Sequence, residues 1–333
     1  MAVLELGTGS RNGTAGFAVS VRWSDYVLTQ IYAVGHYLQL AVWPSPLIFD
    51  YGSSVVTQAA RVLPAAIVVG LLAVGTFVAL VRRPALGFLG AWFFAILAPT
   101  CLVPVGTQTI AEHRMYLPLA AVIVPAAIGI AQLSVRASRL LFMVLALGLG
   151  ALTVHRNETY LSEVALWSDD VAKMPDNARA HNNLGNALYV TGDVPGAAAQ
   201  YAEALRLQPD DNPEVQYNLA LCFLQEHPPR LPEAIAHASE AVRLAPGNAK
   251  GHLNLGNALA ESNRLQEAME QFQTAVRINP NFPEAHNNLG NVWYLMGDKP
   301  QAIAEYREAL RINPNYADAR ASLNHLQAVS GSR

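Results

Sequence analysis

The arrangement of apolar and polar positions changes character near residue 155. Residues 63–81 run nineteen positions without a charge, about 28 Å as a helix at ~1.5 Å per residue, enough to cross a bilayer. Arg82, Arg83 and Pro84 end that stretch. Three more apolar stretches follow, at 85–103, 116–133 and 140–154, with Pro99 predicted to bend the far end of the first. The last, at fifteen residues, is short for a span. None has the polar face of an amphipathic helix in a soluble bundle, so the pattern predicts four membrane spans. Residues 25–43 differ, because Asp25, Gln30, His36 and Gln39 interrupt a Tyr-, Leu- and Val-rich run flanked by Trp23 and Trp43. That mixture predicts a helix lying in the headgroup region, with an imperfect fifth span as the alternative. Residues 1–22 carry no basic segment leading into a long apolar one, and read as a polar extracytoplasmic loop or β-hairpin.

Beyond residue 155 the period is that of paired amphipathic helices. The segments NNLGNALYVTGD, LNLGNALAESNR and NNLGNVWYLMGD recur, and Gly185, Ala220, Gly256 and Gly290 align at steps of 35, 36 and 34. Pro209, Pro246, Pro280 and Pro314 close the units at steps of 37, 34 and 34. Leu184, Leu219, Leu255 and Leu289 precede the small residue, and Ala197, Ala234, Ala268 and Ala302 open the second helix. Tyr201, Phe272 and Tyr306 fill an aromatic slot where the second unit has Ala238. Small residues let two helices approach, Leu and aromatics fill the seam, and proline ends the unit; only stacking buries that seam. A 34-residue helix–turn–helix unit of this kind resembles the tetratricopeptide repeat. The predicted fold is therefore all-α: a membrane helix bundle of about four spans plus an interfacial helix over 23–155, then a tetratricopeptide-repeat α-solenoid over 156–333. Its repeats are expected at 178–211, 213–248, 249–282 and 283–316, with a capping helix at 317–329 and an irregular first helical element at 157–175. The second repeat carries about two extra residues at EHPPRLP, between its helices, where insertion costs little.

Charge and cysteine usage narrow the function classes. A net charge of −3 with no basic tract excludes a nucleic-acid binder. Cys101 and Cys222 are the two cysteines; they show no metal-ligand spacing and do not read as a disulfide pair. Arg82 and Arg83 lie between the first two spans, Arg136 and Arg139 between the last two. Basic short loops face the cytoplasm, which puts the 104–115 loop and everything after 155 on the extracytoplasmic side.

Two sets of residues carry candidate chemistry. Asn183, Asn218, Asn254 and Asn288 share one position of the first repeat helix. Asparagine is a mediocre helix former, so propensity does not demand it there. A ladder of amides on a concave face both donates and accepts, which suits gripping an extended polypeptide backbone. The array resembles the O-linked N-acetylglucosamine transferase superhelix, whose asparagine ladder grips substrate; packing between neighbouring helices is the alternative. The second set is Glu112, His113, Arg114 and Tyr116 in AEHRMYLP, at a predicted water interface between spans. Arg114 offers a planar fork of donors to a phosphate. Interfacial anchoring is the other reading. His181, His252 and His286 recur one repeat apart, too far from one another to share zinc, and read as structural. Asp169 and Asp170 read as a solvated helix face rather than a catalytic pair. No metal site is expected.

Residues 26–52 (YVLTQIYAVGHYLQLAVWPSPLIFDYG), 111–118 and 156–188 (RNETYLSEVALWSDDVAKMPDNARAHNNLGNAL), followed by the repeats, resemble the transmembrane and tetratricopeptide-repeat protein O-mannosyltransferases and their bacterial relatives. The resemblance implies an integral membrane protein, in a bacterium of the inner membrane, and a polyprenyl-phosphate-linked sugar as donor substrate with no tightly bound cofactor. It implies transfer to a protein hydroxyl, with Glu112, His113, Arg114 and Tyr116 near the lipid phosphate and the repeats holding the acceptor polypeptide. In that family the catalytic acidic residues lie in a first extracytoplasmic loop after an N-terminal span. This sequence begins in what reads as a later connection, so an N-terminally incomplete relative is expected and no catalytic residue is assigned. A non-enzymatic, membrane-anchored scaffold for protein–protein interaction is the alternative function.

Overall fold

The structure, a computed structural model, describes residues 23–42, 48, 50, 51, 56, 59–102, 120–158, 160–209 and 212–331. All secondary structure among the described residues is helical. The chain divides into two compact units, Met1–Ala180 and His181–Arg333.

In the first unit, α1 (Trp23–Val42), α2 (Ala59–Arg82) and α3 (Pro84–Leu102) pack on one another. Arg83 alone separates α2 from α3, and Pro84 starts the new helix at the position where a missing N–H costs nothing. α1 is not exposed along its length: Tyr26, Thr29, Gln30, Ala33, Val34 and Tyr37 are buried. A Cβ on Gly35 would fall 2.6 Å from that of Ala65, so the absent side chain sets how closely α1 approaches α2. Tyr37, Tyr51, Phe93 and Leu97 form the core, with Met174 against it.

α4 (Ala120–Ala131) and α5 (Val135–Glu158) form a second hairpin, closed by a hydrogen bond from the Ser138 hydroxyl to the Ile130 carbonyl at 2.8 Å. The apolar stretch that looked short at fifteen residues is the middle of the 24-residue helix α5, whose polar ends hold Arg136, Arg139, His155 and Arg156. No residue of α5 is buried. Two described helices, α2 over Ala60–Arg82 and α5, are long and apolar enough to cross a membrane, with mean hydropathies of 2.4 and 1.9. In α3 the apolar stretch is shorter, Pro84–Ala98, and α4 has twelve residues. Residues 103–119 lie outside the described part.

α6 (Glu163–Lys173) starts at Ser162, whose hydroxyl accepts from the Ala165 N–H at 3.1 Å. The second unit continues from α7 (Ala178–Val190) as antiparallel pairs: α7 with α8 (Val194–Leu207), α9 (Pro213–Gln225) with α10 (Leu231–Leu244), α11 (Ala249–Glu261) with α12 (Leu265–Ile278), and α13 (Pro283–Leu295) with α14 (Lys299–Ile312). α15 (Ala317–Gly331) packs on α14 and covers its apolar face with Ala319 and Leu326. The turns between paired helices use a left-handed residue at one register: Gly192 (φ 88°), Asn263 (φ 59°) and Gly297 (φ 90°). Asp193 and Asp298 then cap the second helix, accepting from the Gly196 and Gln301 N–H groups.

Candidate functional site

The seam of each repeat shows why the small residue is needed. A Cβ on Gly185, Gly256 or Gly290 would lie 2.6, 2.5 or 2.8 Å from a ring carbon of Tyr201, Phe272 or Tyr306. Real Cβ atoms do not approach that closely, so glycine and ring are a matched pair. The second repeat replaces both members, with Ala220 in the first helix and Ala238 in the second, each fully buried.

From this seam an asparagine network runs along the first helices. Asn218 donates to the Asn186 Oδ1 of the preceding repeat at 3.1 Å, and Asn288 to that of Asn257 at 2.7 Å. The Tyr201 hydroxyl donates to Asn186, and that of Tyr306 to Asn291, both at 2.7 Å. Two of the four expected ladder amides thus tie neighbouring repeats together through one N–H. Asn218 and Asn254 are buried, while Asn183 and Asn288 are half-buried. A second row, Asn186, Asn257 and Asn291, lies three residues on from the first and was missed, although it stands in the recurring LGN motif. Asn257, Asn288 and Asn291 line an open groove of about 310 Å³ between α11 and α13, with Glu261 and Leu295 at its edge.

The recurring histidines are structural in the sense expected and do more than fill space. His181 Nδ1 faces Gln200 Oε1 at 2.7 Å, and His252 Nδ1 faces Gln271 Oε1 at 2.8 Å. In the second repeat the pair is exchanged, with Gln216 on the first helix and His237 on the second, at 2.7 Å. In the fourth the partner is a carboxylate: His286 Nδ1 lies 2.7 Å from Glu305 Oε2, and its Nε2 lies 3.2 Å from the Pro280 carbonyl. With Glu305 ionised both partners only accept, so the imidazolium is the form that can donate to both. The Glu305 bond holds the His286 pKa above its usual value, against the opposing effect of burial. Burial, with repulsion from Arg230, holds that of His237 below it.

A third cluster, in the first unit, overturns one expectation. Asp170 is fully buried rather than solvated, and its Oδ2 accepts from the Asp50 N–H at 2.9 Å. The Asp50 carboxylate, itself buried, receives Arg179 through Nε at 2.5 Å and through Nη2. Asn177 donates its Nδ2 to the Asp50 carbonyl at 2.7 Å while its Oδ1 caps the start of α7. Tyr51 continues the cluster, its hydroxyl 2.8 Å from His36 Nε2. Asp169 pairs with Arg156 at 2.5 Å and Lys173 at 2.6 Å. Burial works against the Asp169 carboxylate, but these bonds outweigh it and hold its pKa below the usual range. Residues from 26–52 and from 156–188 therefore meet at one buried acidic joint. Sequence offered no signal for it, because partners 120 to 129 positions apart share no period.

Glu112, His113, Arg114 and Tyr116 lie outside the described residues. Among the described residues no group of three or more His, Cys, Asp or Glu side chains is arranged to hold a metal ion.

Family models described as "Tetratricopeptide repeat" match residues 164–212, 197–249 and 283–316, and one described as "TPR repeat" matches 256–297. The solenoid is built of tetratricopeptide repeats. Among curated proteins, a protein O-mannosyl-transferase of Caenorhabditis elegans is 34% identical over 103 residues, 30% of this chain. That match spans 15% of the relative's length. Among solved structures, "YrrB: a TPR protein with an unusual peptide-binding site" aligns with TM-score 0.43 and 21% identity over 52% of this chain and 87% of its own. MamA aligns with TM-score 0.42 and 19% identity over 46% and 88%. Pseudomonas aeruginosa pilF aligns with TM-score 0.42 and 24% identity over 46% and 69%.

Proposed function

We propose that the chain forms part of a membrane protein glycosyltransferase, which moves a sugar from a polyprenyl-phosphate carrier to a protein hydroxyl. Tetratricopeptide repeats are protein-interaction modules, and in this reading they hold the acceptor polypeptide. The carrying observation is the 34% identity to a protein O-mannosyl-transferase. The Asp50 joint supports it, since it draws together two of the three stretches on which the resemblance rests.

In this reading α2, α3, the apolar stretch 116–133 and α5 are four spans of a bacterial inner membrane. Arg82, Arg83, Arg136 and Arg139 face the cytoplasm, and the repeats lie outside. The acceptor lies along the face of Asn183, Asn218, Asn254 and Asn288, with Asn257 and Asn291 beside the groove. Glu112, His113, Arg114 and Tyr116 meet the donor phosphate at the outer surface, Arg114 as the cation. The acceptor oxygen replaces the phosphate oxygen at the sugar's anomeric carbon, the polyprenyl phosphate leaves, and the hydroxyl proton passes to a base.

The test is sugar incorporation by membranes containing the full chain, given polyprenyl-phosphate mannose and a Ser/Thr-rich polypeptide. With the acidic N-terminal part of a complete family member supplied on the same or a second chain, the expected result is incorporation above that seen without this chain, lost when the four ladder asparagines become Ala. Polypeptide binding without any sugar transfer would favour the second reading, a membrane-anchored scaffold. The asparagine rows support that reading equally well, because they bind backbone without chemistry.

A further inference from the structure

Beside the close Gly35–Ala65 contact of α1 and α2 lies a pocket of about 250 Å³ whose lining includes Tyr32, His36, Gln39 and Arg61. Arg61 lies in the first turn of the apolar helix α2, exposed, and among the described residues no carboxylate pairs with it. His36 stacks on Tyr32, with ring centroids 6.5 Å apart, and is braced by Tyr51. The mouth is thus cationic and hydrogen-bonding, while Pro64, Ala65 and Val68 give the far wall only carbon.

The same face of α2 leads to a second pocket. Arg61, Ala65, Val68, Leu72 and Thr76 follow one another at three- and four-residue spacing, so they form a single stripe down the helix. Leu72 and Thr76 line an apolar pocket of about 110 Å³ with Leu38, Phe93 and Phe94. Val68 and Leu72 are one turn apart, ~6 Å along the axis. A polar chamber at the helix start is followed, one turn on, by an apolar one. The first is smaller than the ~300–1,000 Å³ of ordinary small-molecule sites, which suits a headgroup and leaves the rest of a ligand outside.

We propose that the α1–α2 cleft, with Arg61, His36 and Gln39 at its mouth and Val68, Leu72 and Thr76 below, binds a phosphate-bearing lipid. Arg61 meets the phosphate with its planar fork, Gln39 adds hydrogen bonds, and a hydrocarbon tail lies along the exposed Val68 and Leu72. The proposal rests on the membrane placement of α2 and α3 in the reading above, and is independent of sugar transfer. A snorkelling anchor is what Arg61 would otherwise be, and that role needs charge but no pocket.

The test uses the full chain in nanodiscs with photoreactive phosphatidic acid, against diacylglycerol carrying the same photoreactive chain. Phosphatidic acid should label α1 and α2 peptides roughly tenfold more than diacylglycerol, as a charge-assisted phosphate contact requires. Arg61→Ala should remove that preference, Arg61→Lys keep part of it, and Arg136→Ala leave it unchanged. Equal labelling by the two lipids, or preference surviving in Arg61→Ala, would overturn the proposal. Inorganic phosphate should not compete; full competition would mean that free phosphate is the ligand and would overturn the lipid assignment. Alkaline carbonate extraction separates the two levels. Release of the chain contradicts the membrane reading itself, whereas retention without phosphatidic acid preference contradicts the cleft alone.

Discussion

Helices α5 and α11 solve opposite problems with the same backbone. α5 has 24 residues and none is buried, and Leu147 and Val154 are 68% and 66% exposed. α11 has thirteen, of which seven are buried, including His252, Asn254, Leu255 and Gly256. The exposed helix is long and apolar enough to cross a membrane, whereas a short repeat helix is stable only against its neighbours. α5 therefore carries its large apolar side chains on the outside, whereas the repeats bury their rings against small residues. The difference teaches that exposure has no fixed meaning along this chain.

The largest way to test that contrast lies in the repeat seam. Phe272→Ala should cost about 3–5 kcal/mol in denaturant unfolding of the solenoid. Gly256→Ala should cost about 1–3 kcal/mol in the native background, where its Cβ meets the ring. In the Phe272→Ala background the same change should stabilise by up to about 1 kcal/mol, since alanine favours helix once the ring is gone. The second repeat, with Ala220 and Ala238, already holds that combination. A cost that stays the same in both backgrounds would break the matched-pair account.

The Asp50 joint comes next. Arg179→Ala leaves a buried carboxylate without its cation and should cost about 3–5 kcal/mol of local stability, read as faster hydrogen exchange over α6. Asp50→Asn with Arg179→Gln should recover part of that loss.

Charge placement compares the halves directly. Leu147→Arg, on α5, should penalise membrane insertion by about 2.5–3.5 kcal/mol, measured as the inserted fraction. Val190→Arg, at 83% exposure in the solenoid, should change stability by less than about 0.5 kcal/mol. Equal effects would mean that both surfaces meet water.

The smallest effect is a pH contrast within the solenoid. His286 is held above its unfolded pKa of about 6.5. Its contribution is therefore complete below that value and lost as pH rises through the folded pKa. His237 is held lower, so its contribution is present at high pH and lost as pH falls through about 6.5 toward the folded value. The Tm loss on His286→Gln should be larger at acid pH, and on His237→Gln at alkaline pH.

What was legible in the sequence follows from distance along the chain. The repeats were legible because glycine, ring, alanine and proline recur within one 34-residue unit. The apolar stretch at 140–154 was recognised as a helix, but its length was not, because Arg136, Arg139, His155 and Arg156 extend the helix without being apolar. The second asparagine row was in plain view in LGN, yet its role depends on which neighbouring helix it meets. Asp170 was misread as solvated because amphipathic spacing on α6 carries no information about Asp50, 120 positions earlier.

The central proposal is that the apolar half sits in a membrane with the repeats on the extracytoplasmic side. Single cysteines at Arg83→Cys, Arg139→Cys and Ser239→Cys, in a Cys101→Ser background, test it most directly with an impermeant maleimide. Cys222 stays silent because it is buried and its thiol is pushed up to about 11 by that burial. The account predicts that position 239 labels in intact cells, and that positions 83 and 139 label only after permeabilisation. Labelling at 239 that requires permeabilisation would contradict it.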